Sequence, residues 1–296
     1  MAVKSALVNR CCYSIAMPIA TAMNQQIPSL SAAVVLYHSS LEQLEALVAS
    51  LDKSAQSIGA ELPLYLVDQS QSAIYSAAVR EMTRKVVTGG SLQLHYIARE
   101  SNDGYGAGHN TVLDKMLGDY HLMLNPDVEL SEDALVQVLK SLRDHPDVTI
   151  MAPRGANALG DEEHLAKRYP SVLVLLLRAL GLPFLSRCFS QRLASYELRD
   201  LADEGDLQDV PLLSGCFMAA RSDALRAVGG FNERFFMYFE DYDLCMRLAS
   251  IGRVVRDPNV RIIHHGGGAA RKGFRHIGWF MSGGIRFFRT WGWRWV

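Results

Sequence analysis

The chain has 296 residues, of which 49% are hydrophobic and 21% charged, a composition typical of globular proteins and unlike that of disordered or collagen-like chains. The chain has 30 lysines and arginines and 31 aspartates and glutamates, which gives a formal net charge of -1. This balance excludes a polycation that coats nucleic acid over its whole surface. This length fits either two domains or one large α/β domain with a substrate-binding extension.

The cysteines argue for a reducing compartment. There are five of them, an odd number, and no two have the CxxC spacing, which argues against a zinc ribbon and against a secreted disulfide scaffold. The longest apolar segment, 172–185, contains Arg178 and Pro183 and is shorter than the roughly 18 to 20 residues of a membrane-spanning helix. We therefore expect a cytoplasmic location and no spanning helix.

Residues 1–29 are predicted to be a flexible N-terminal extension. They contain Lys4 and Arg10 but no acidic residue, as in a weak targeting peptide. The favoured interpretation is an unstructured tail or an upstream start codon, with Met17 or Met23 as alternative starts.

Strands alternate with helices from Leu30 onward. Periodicity predicts buried strands at 32–37, 64–67, 92–97 and 121–124, and helices at 41–51, 75–87, 109–117 and from about 131. This alternation predicts a mostly parallel sheet with helices on both faces. Ligands bind beyond the carboxyl ends of such strands, where Asp68, Asn102 and Asp127 fall.

The middle of the chain reads as an inserted lobe. Residues 156–168 are polar, 172–185 are apolar, and 197–209 carry six acids. Regular elements return as a strand at 212–220, helices at 222–228 and 240–251, and a last strand at 260–264.

Three acids, Glu240, Asp241 and Asp243, open a predicted helix directly after the aromatic run 235–239. Acids in a first turn commonly do no more than complement the helix dipole. Here the bulky neighbours would partly desolvate them, which raises a carboxyl pKa and suits a general base.

Two further places could bind a diphosphate. Asp127 could ligate a divalent cation, or the run 125–127 could simply form a turn and helix cap. His264 and His265 precede the glycines 266–268, which can approach phosphates closely, although histidine pairs are often structural. The glycine loop 104–108 fits neither a dinucleotide nor an ATP-binding pattern.

Residues 30–268 together resemble the family-2 glycosyltransferases, inverting enzymes of the GT-A fold, and most closely the bacterial rhamnosyltransferases that use dTDP-L-rhamnose. The resembling segments are Tyr37-His38-Ser39-Ser40, Leu66-Val67-Asp68-Gln69-Ser70, 102–110, Leu124-Asn125-Pro126-Asp127, 215–247 and His264-His265-Gly266-Gly267-Gly268. Phe239-Glu240-Asp241-Tyr242-Asp243-Leu244-Cys245-Met246-Arg247 is the most specific run.

The resemblance implies a Rossmann-like α/β fold with a mostly parallel sheet flanked by helices. It places the nucleotide-sugar half at about 30–130 and the acceptor half, with an insertion, at about 131–268. A basic, aromatic helical tail at 269–296 completes the expected organisation.

The resemblance also implies roles for individual residues. The base is Asp241 with Glu240 beside it, and Asp127 binds a divalent cation, Mg²⁺ or Mn²⁺, assisted by His264 or His265. Many relatives have an Asp-x-Asp motif where this chain has Asn125-Pro126-Asp127, so this chain supplies only one carboxylate there. A second departure is Gln69, which follows Asp68 where relatives usually have Asn. The residues expected to contact the nucleotide sugar are Tyr37, Asp68, Asn102, Gly106, Asn110 and Asn125.

The implied reaction is direct displacement that moves L-rhamnose from dTDP-L-rhamnose to a hydroxyl of a surface glycan, either a lipopolysaccharide core or a lipid-linked oligosaccharide. A UDP-sugar donor and a non-catalytic nucleotide-sugar-binding or scaffold protein are the alternatives. A nucleotidyltransferase would need a glycine-rich basic loop after the first strand, and residues 37–40 are not one.

Residues 271–296 carry six lysines and arginines, no acid, and all four tryptophans. They could lie in a membrane interface, which would add peripheral contact with the inner face of the cytoplasmic membrane. Equally, a C-terminal helix could pack these aromatics on the catalytic domain. No nucleic-acid-binding module is recognisable, so we expect no nucleic-acid partner.

Overall fold

The computed structural model describes residues 29–87, 90–115, 118–180, 182–266 and 274–296. Nearly all of the predicted N-terminal extension, Gly267 and Gly268, and the first residues of the tail lie outside these ranges. The strands within them are β1 (Leu30–Leu36), β2 (Leu62–Asp68), β3 (Leu92–Ala98), β4 (Tyr120–Leu124), β5 (Val128–Leu130), β6 (Val148–Ala156), β7 (Glu162–Glu163), β8 (Ala166–Lys167), β9 (Gln208–Asp209), β10 (Leu212–Leu213), β11 (Phe217–Arg221) and β12 (Arg253–His264).

The helices alternate with these strands in the first half of the chain and cluster in the second. They are α1 (Leu41–Ile58), α2 (Ala73–Val86), α3 (Tyr105–Asn110), α4 (Ala134–Asp144), α5 (Val172–Leu180), α6 (Pro183–Cys188), α7 (Ser190–Tyr196), α8 (Ser222–Ala227), α9 (Glu240–Leu248) and α10 (Phe274–Trp291). None of the helices in the described ranges is long and apolar enough to cross a membrane.

Ten strands form one sheet whose main path runs β3-β2-β1-β4-β11-β6-β12-β5, with β7 and β9 attached to β6 and β12. Strands β3, β2, β1 and β4 are mutually parallel, β11 runs opposite to its two neighbours, and β6 and β12 are parallel to each other. The prediction of a mostly parallel α/β sheet is confirmed. Strands from both predicted halves of the catalytic domain join in this sheet.

The core forms because the central strands are apolar along their whole length. All seven residues of β1 and all five of β4 are buried, and α1 packs Leu44, Leu47, Val48 and Leu51 against them. Each such leucine contributes about 1.5 to 3 kcal/mol when it leaves water. Helix α1 begins where Ser40 accepts a hydrogen bond from the Gln43 N–H, and it ends at Gly59 in the left-handed region.

The third helix begins earlier than predicted. It starts at Tyr105, inside the expected loop, and a single 3-10 turn at Leu113–Lys115 follows it. The glycines are the reason, because a Cβ at Gly106 would lie 2.7 Å from Phe231 and one at Gly108 would lie 2.6 Å from Val35. These glycines let a helix approach β1 closely, whereas the sequence pattern suggested a loop.

The predicted strand 212–220 is broken into β10 and β11. Strand β10 pairs with β8 in a separate two-stranded sheet, whereas β11 belongs to the main sheet. At the break, the Ser214 N–H donates to the Leu165 carbonyl. Strand β12 is conversely longer than predicted and continues past Pro258, with an irregular register between Asp257 and Arg261. Prolines are tolerated in strands at such irregularities.

The helices α5, α6 and α7 lie within the predicted inserted lobe, and α5 packs against the C-terminal helix. Leu175 of α5 lies in one buried cluster with Phe235 and Phe239 and with Phe287 and Phe288 of α10. The C-terminal aromatics of α10 therefore pack on the catalytic domain, which was one of the two open interpretations of the tail.

Candidate active site

Asp68 ends β2 and is buried. Its carboxylate accepts hydrogen bonds from the Ser70 N–H at 2.8 Å, the Ser76 hydroxyl at 2.7 Å, and the Tyr96 hydroxyl. Burial alone would raise the pKa of Asp68, but these three hydrogen bonds outweigh it and hold the pKa below its usual value. Asp68 is therefore a fixed negative charge at the carboxyl end of β2.

Gln69 was not among the predicted site residues, yet it positions the loop over this end of the sheet. Its side-chain amide donates to the Gly104 carbonyl at 3.0 Å and accepts from the Asp103 N–H at 3.1 Å. The Asn102 side chain closes the same loop by accepting from the Gly104 N–H at 3.1 Å. The only sequence signal was its position directly after Asp68, where Asn is usual.

The other residues predicted to contact the nucleotide differ in their surroundings: some are accessible to solvent, and others pack against the protein. Tyr37 presents an exposed ring at the end of β1, and Asn125 lies half-buried after β4. Gly106 is buried beneath Phe231, and the Asn110 amide bonds both the N–H and the carbonyl of Phe231 at 2.8 Å. Asn110 thus holds the loop that follows α8, and its contact with a nucleotide stays a prediction.

Asp127 and His264 lie side by side. His264 Nε2 is 3.5 Å from Asp127 Oδ1, while its Nδ1 is 2.6 Å from Glu163 Oε2. Burial alone lowers the pKa of His264, but the two carboxylates outweigh it and raise the pKa above its usual value. A carboxylate behind a ring nitrogen is the arrangement that orients metal-binding histidines.

His265 takes a different partner. Its Nε2 lies 2.5 Å from Glu129 Oε1, and only its backbone N–H reaches Asp127, donating to the carbonyl oxygen at 2.8 Å. Gly266 packs so closely that a Cβ would collide with Asp127 Oδ2 and lie 2.6 Å from His264 Nε2. Of the two predicted histidines, geometry selects His264 as the one beside Asp127.

Across the part of the chain that the structure describes, no group of three or more His, Cys, Asp and Glu side chains could hold a metal ion. The pair Asp127 and His264 still fits a cation that travels with a diphosphate, since such ions take one or two protein ligands and fill their shell with phosphate oxygens and water. The carboxylate oxygen suits either Mn²⁺ or Mg²⁺, whereas the imidazole nitrogen suits a transition metal and so favours Mn²⁺ of the two.

Glu240 and Asp241 open α9 after a strained entry. Tyr238 and Phe239 have φ angles of 69° and 68°, which non-glycine residues adopt at a cost of about 1 to 3 kcal/mol each. Asp241 Oδ2 accepts the Gly215 N–H at 3.0 Å, and Oδ1 accepts the Tyr242 N–H at 2.8 Å. Strain of this kind persists only where the surrounding structure holds it, as at functional sites.

The two neighbouring carboxyls differ in protonation. Burial raises the pKa of Asp241 to about 6. Burial and the charge of Asp241 together raise the pKa of Glu240 well above its usual value, and Glu240 Oε2 is buried without a hydrogen-bond partner. Burial therefore favours the protonated form of Glu240 more strongly than that of Asp241.

Asp243, the third acid of this run, has a structural role. Its buried carboxylate accepts from Arg247 Nε at 2.8 Å and from Trp291 Nε1 at 3.0 Å. The sequence pattern did not distinguish it from its two neighbours.

Asp241 lines a cavity of about 120 Å³ whose other walls are largely aromatic. Flat aromatic faces suit the apolar face of a sugar ring, and the carboxylate lies among them. A larger cavity of about 710 Å³ lies between α4 and the bend of β12, but none of the predicted site residues lines it. The remaining residues that line the Asp241 pocket are Leu175, Arg178, Tyr196, Tyr238, Phe239, Tyr242 and Phe280.

Residues 31–229 match the family model described as Glycosyl transferase family 2. The chain belongs to glycosyltransferase family 2. Solved structures with a similar fold include GalNAc-T7 with UDP, GalNAc and Mn²⁺ (TM-score 0.64, 14% identity, 90% of this chain and 49% of that one). Another is the mannosyltransferase PcManGT from Pyrobaculum calidifontis with GDP-Man and Mn²⁺ (TM-score 0.55, 16% identity, 88% and 65%). These likenesses confirm the predicted GT-A fold of this family-2 glycosyltransferase.

Curated relatives of this family-2 chain include rhamnosyltransferases. The N-acetylglucosaminyl-diphospho-decaprenol L-rhamnosyltransferase of Mycobacterium tuberculosis is 30% identical over 177 residues, which cover 56% of each chain. Rhamnosyltransferase WbbL of Escherichia coli K12 is 27% identical over 195 residues, covering 58% of this chain and 66% of that one. The chain thus spans between half and two thirds of the length of these two relatives.

Proposed function

We propose that this protein transfers L-rhamnose from dTDP-L-rhamnose to a hydroxyl of a bacterial surface glycan, with inversion at the anomeric carbon. The observation that carries the proposal is the Asp241 carboxylate at the wall of an aromatic pocket, with its pKa raised to about 6 by burial and with Glu240 beside it. The two rhamnosyltransferase relatives support the choice of sugar.

In the proposed reaction, Asp241 accepts the proton of the acceptor hydroxyl as the hydroxyl oxygen attacks the anomeric carbon of the donor. The bond from that carbon to the diphosphate oxygen breaks with its electron pair, so dTDP leaves from the opposite face. A positioned base of this kind is worth roughly 10²- to 10⁴-fold in rate. The hydrogen bond from Gly215 fixes one carboxylate oxygen, and the pKa of about 6 keeps most of the carboxylate ionised at neutral pH.

Asp127 and His264 would hold a Mg²⁺ or Mn²⁺ ion, which stabilises the charge that develops on a departing diphosphate. Glu163 keeps the His264 ring oriented with Nε2 toward Asp127. At the other end of the donor site, Tyr37, Asp68 and Asn102 are proposed to contact the nucleoside, with Gln69 holding the Asn102 loop in place.

The acceptor is proposed to be membrane-attached, either a lipopolysaccharide core or a lipid-linked oligosaccharide, so that the protein works on the cytoplasmic face of the membrane. The mycobacterial relative, whose name specifies a polyprenyl diphosphate sugar as acceptor, supports this class. Aromatic residues of α7, α9 and α10 in the Asp241 pocket would receive the acceptor sugar.

The proposal is tested by thermal stabilisation of the purified protein with dTDP and with UDP, each with and without Mg²⁺ or Mn²⁺. A ligand at 100 times its dissociation constant adds about 2.7 kcal/mol of stability. Preference for dTDP that strengthens with metal is expected. Preference for UDP would exclude dTDP-L-rhamnose as donor, and no response to either nucleotide would contradict catalysis of this kind.

A further inference from the structure

Helices α5 and α6 of the inserted lobe expose large apolar side chains to solvent. Leu180 is 58% exposed and Phe184 is 73% exposed, and Leu176 and Leu182 are exposed beside them. The opposite side of α5 is buried, since Val174, Leu175 and Leu177 pack inward. The apolar face is therefore not a consequence of loose packing, because the same helix already has a core-facing side.

The charged residues on the helices of this face are basic. Acidic residues begin at Glu197, which pairs with Arg178, and Asp200 pairs with Arg168. Residues 164–196 include five lysines and arginines and no acid, and Arg187 and Arg192 are exposed on α6 and α7. Residues 274–296 likewise include basic residues and no acid. In a chain whose net charge is close to zero, two acid-free basic segments are unusual.

The fold brings these two segments together. The N–H groups of Val172 and Leu173 in the first turn of α5 donate to the carbonyls of Arg294 and Trp295, at 2.7 and 3.1 Å. The Tyr169 hydroxyl donates to the Gly292 carbonyl at 2.6 Å. The backbone carbonyls of the C-terminal residues thus cap α5 together with the Ser171 hydroxyl, which accepts the Val174 N–H at 3.2 Å.

The segment that caps α5 carries two tryptophans. Trp293 and Trp295 stack with ring centroids 5.3 Å apart, and Trp295 is 66% exposed. Tryptophan is the residue type most enriched where protein meets lipid headgroups, because it combines an apolar body with a polar N–H.

We propose that α5, α6 and residues 292–296 form one surface that docks onto an anionic lipid membrane. Apolar side chains from two segments would enter the headgroup region while the arginines around them face anionic lipid, the combination that holds interfacial helices. Each lysine or arginine near such a surface contributes about 1 kcal/mol. The charge complementarity favours a lipid surface over a second copy of this chain, whose matching face would be equally positive.

The docking surface lies one helix away from the proposed base. Leu175 and Arg178 of α5 line the Asp241 pocket, while Leu176 and Leu180 of the same helix face solvent. A lipid-anchored acceptor would then reach Asp241 along the membrane-facing edge of α5. This last step rests on the proposed function, whereas membrane binding itself does not.

The test is co-sedimentation of the full chain with vesicles of phosphatidylcholine alone and vesicles that also contain phosphatidylglycerol. The wild-type chain is expected to bind the anionic vesicles, and to bind them less well as salt rises. Leu180→Ser with Phe184→Ser is expected to lower binding at least tenfold. Arg187→Glu with Arg192→Glu is expected to lower binding to anionic vesicles about fivefold or more for each charge.

Matched controls are Ile74→Ser and Leu159→Ser, which remove equally large side chains that are 86% and 87% exposed on other elements. They are expected to bind vesicles as the wild type does. Wild-type protein that binds neither vesicle, or a Leu180/Phe184 variant that binds normally, would overturn the proposal. A wild-type dimer that the same variant converts to a monomer would assign the surface to a second copy instead.

Stabilisation by dTDP is measured on the same variants. An unchanged nucleotide response with lost vesicle binding shows that the fold and the donor site are intact, and it supports the docking surface. Failure of wild-type vesicle binding with an intact nucleotide response would overturn the docking surface alone and leave the proposed transferase untouched.

Discussion

The Gly215 N–H donates to Asp241 Oδ2 at 3.0 Å, which joins the break between β10 and β11 to the first turn of α9. The same break is tied to the donor side, since the Gly215 carbonyl accepts from the Tyr105 hydroxyl and the Cys216 carbonyl accepts from the Asn125 N–H at 2.8 Å. Residues 214–216 therefore connect the proposed base, the loop proposed to bind the nucleotide and the turn proposed to bind the metal.

The rate of transfer should fall at acid pH with the protonation of Asp241. Because burial raises the pKa of Asp241 to about 6, the base is ionised above that pH and protonated below it. We expect kcat/KM to be level above pH 7 and to fall about tenfold for each pH unit below 6. The equilibrium affinity for dTDP, measured over the same pH range, should not fall in this way. A kcat/KM that stays level down to pH 5 would contradict the role of Asp241 in this pH dependence.

The stability of the wild type should fall relative to Glu240→Gln as pH rises. A buried carboxyl with a raised pKa stabilises the fold fully below its unfolded pKa, near 4.5, and this stabilisation is lost as pH rises toward the folded pKa. Glutamine does not ionise, so the variant does not lose stability in this way as pH rises. Between the unfolded and folded pKa of Glu240, the free energy of unfolding of the variant should rise relative to that of the wild type by about 1.4 kcal/mol for each pH unit. Urea unfolding at several pH values measures this difference. An unchanged difference between the two proteins would show that Glu240 is not held protonated.

His264 and His265 should differ in their effect on metal binding. His264→Gln removes the ring beside Asp127, and Glu163→Gln removes the carboxylate that orients it, so both should weaken Mn²⁺ binding in the presence of dTDP. Loss of such an orienting partner typically costs 10- to 100-fold in metal affinity.

His265→Gln is the matched control, because its ring pairs with Glu129 instead. Its Mn²⁺ titration, followed by thermal stabilisation, should match the wild type. Equal losses in the two histidine variants would contradict the assignment of His264 as the ligand.

The C-terminal helix should stabilise α9 through Trp291. Trp291→Phe removes the N–H that donates to the buried Asp243 at 3.0 Å, and losing a hydrogen bond to a charged group costs about 1.5 to 3 kcal/mol. Urea unfolding measures the change. Trp295→Phe, at an exposed position, should change stability by less than about 0.5 kcal/mol, and similar values for the two variants would argue against the contact.

The sequence pattern was sufficient for features that depend on local chemistry. Apolar runs located the central strands, and the acids after an aromatic run identified the start of α9. The sequence pattern could not predict hydrogen bonds between residues far apart in the chain. Gly215 lies 26 positions before its partner Asp241, and Gln69 lies 35 positions before its partner Gly104. Gly106 and Gly108, which allow α3 to pack closely, led to the prediction of a loop, because composition does not show which residues pack beside a glycine.

Paired assays of Asp241→Asn test the assignment of the base most directly. The variant keeps the shape of the side chain but cannot accept a proton, so it should bind dTDP with unchanged affinity and transfer sugar at least 10²-fold more slowly. Glu240→Gln, measured beside it, should retain most of the activity, because the raised pKa of Glu240 favours the protonated form that glutamine resembles. Wild-type transfer rates in Asp241→Asn would contradict the role of Asp241 as the base.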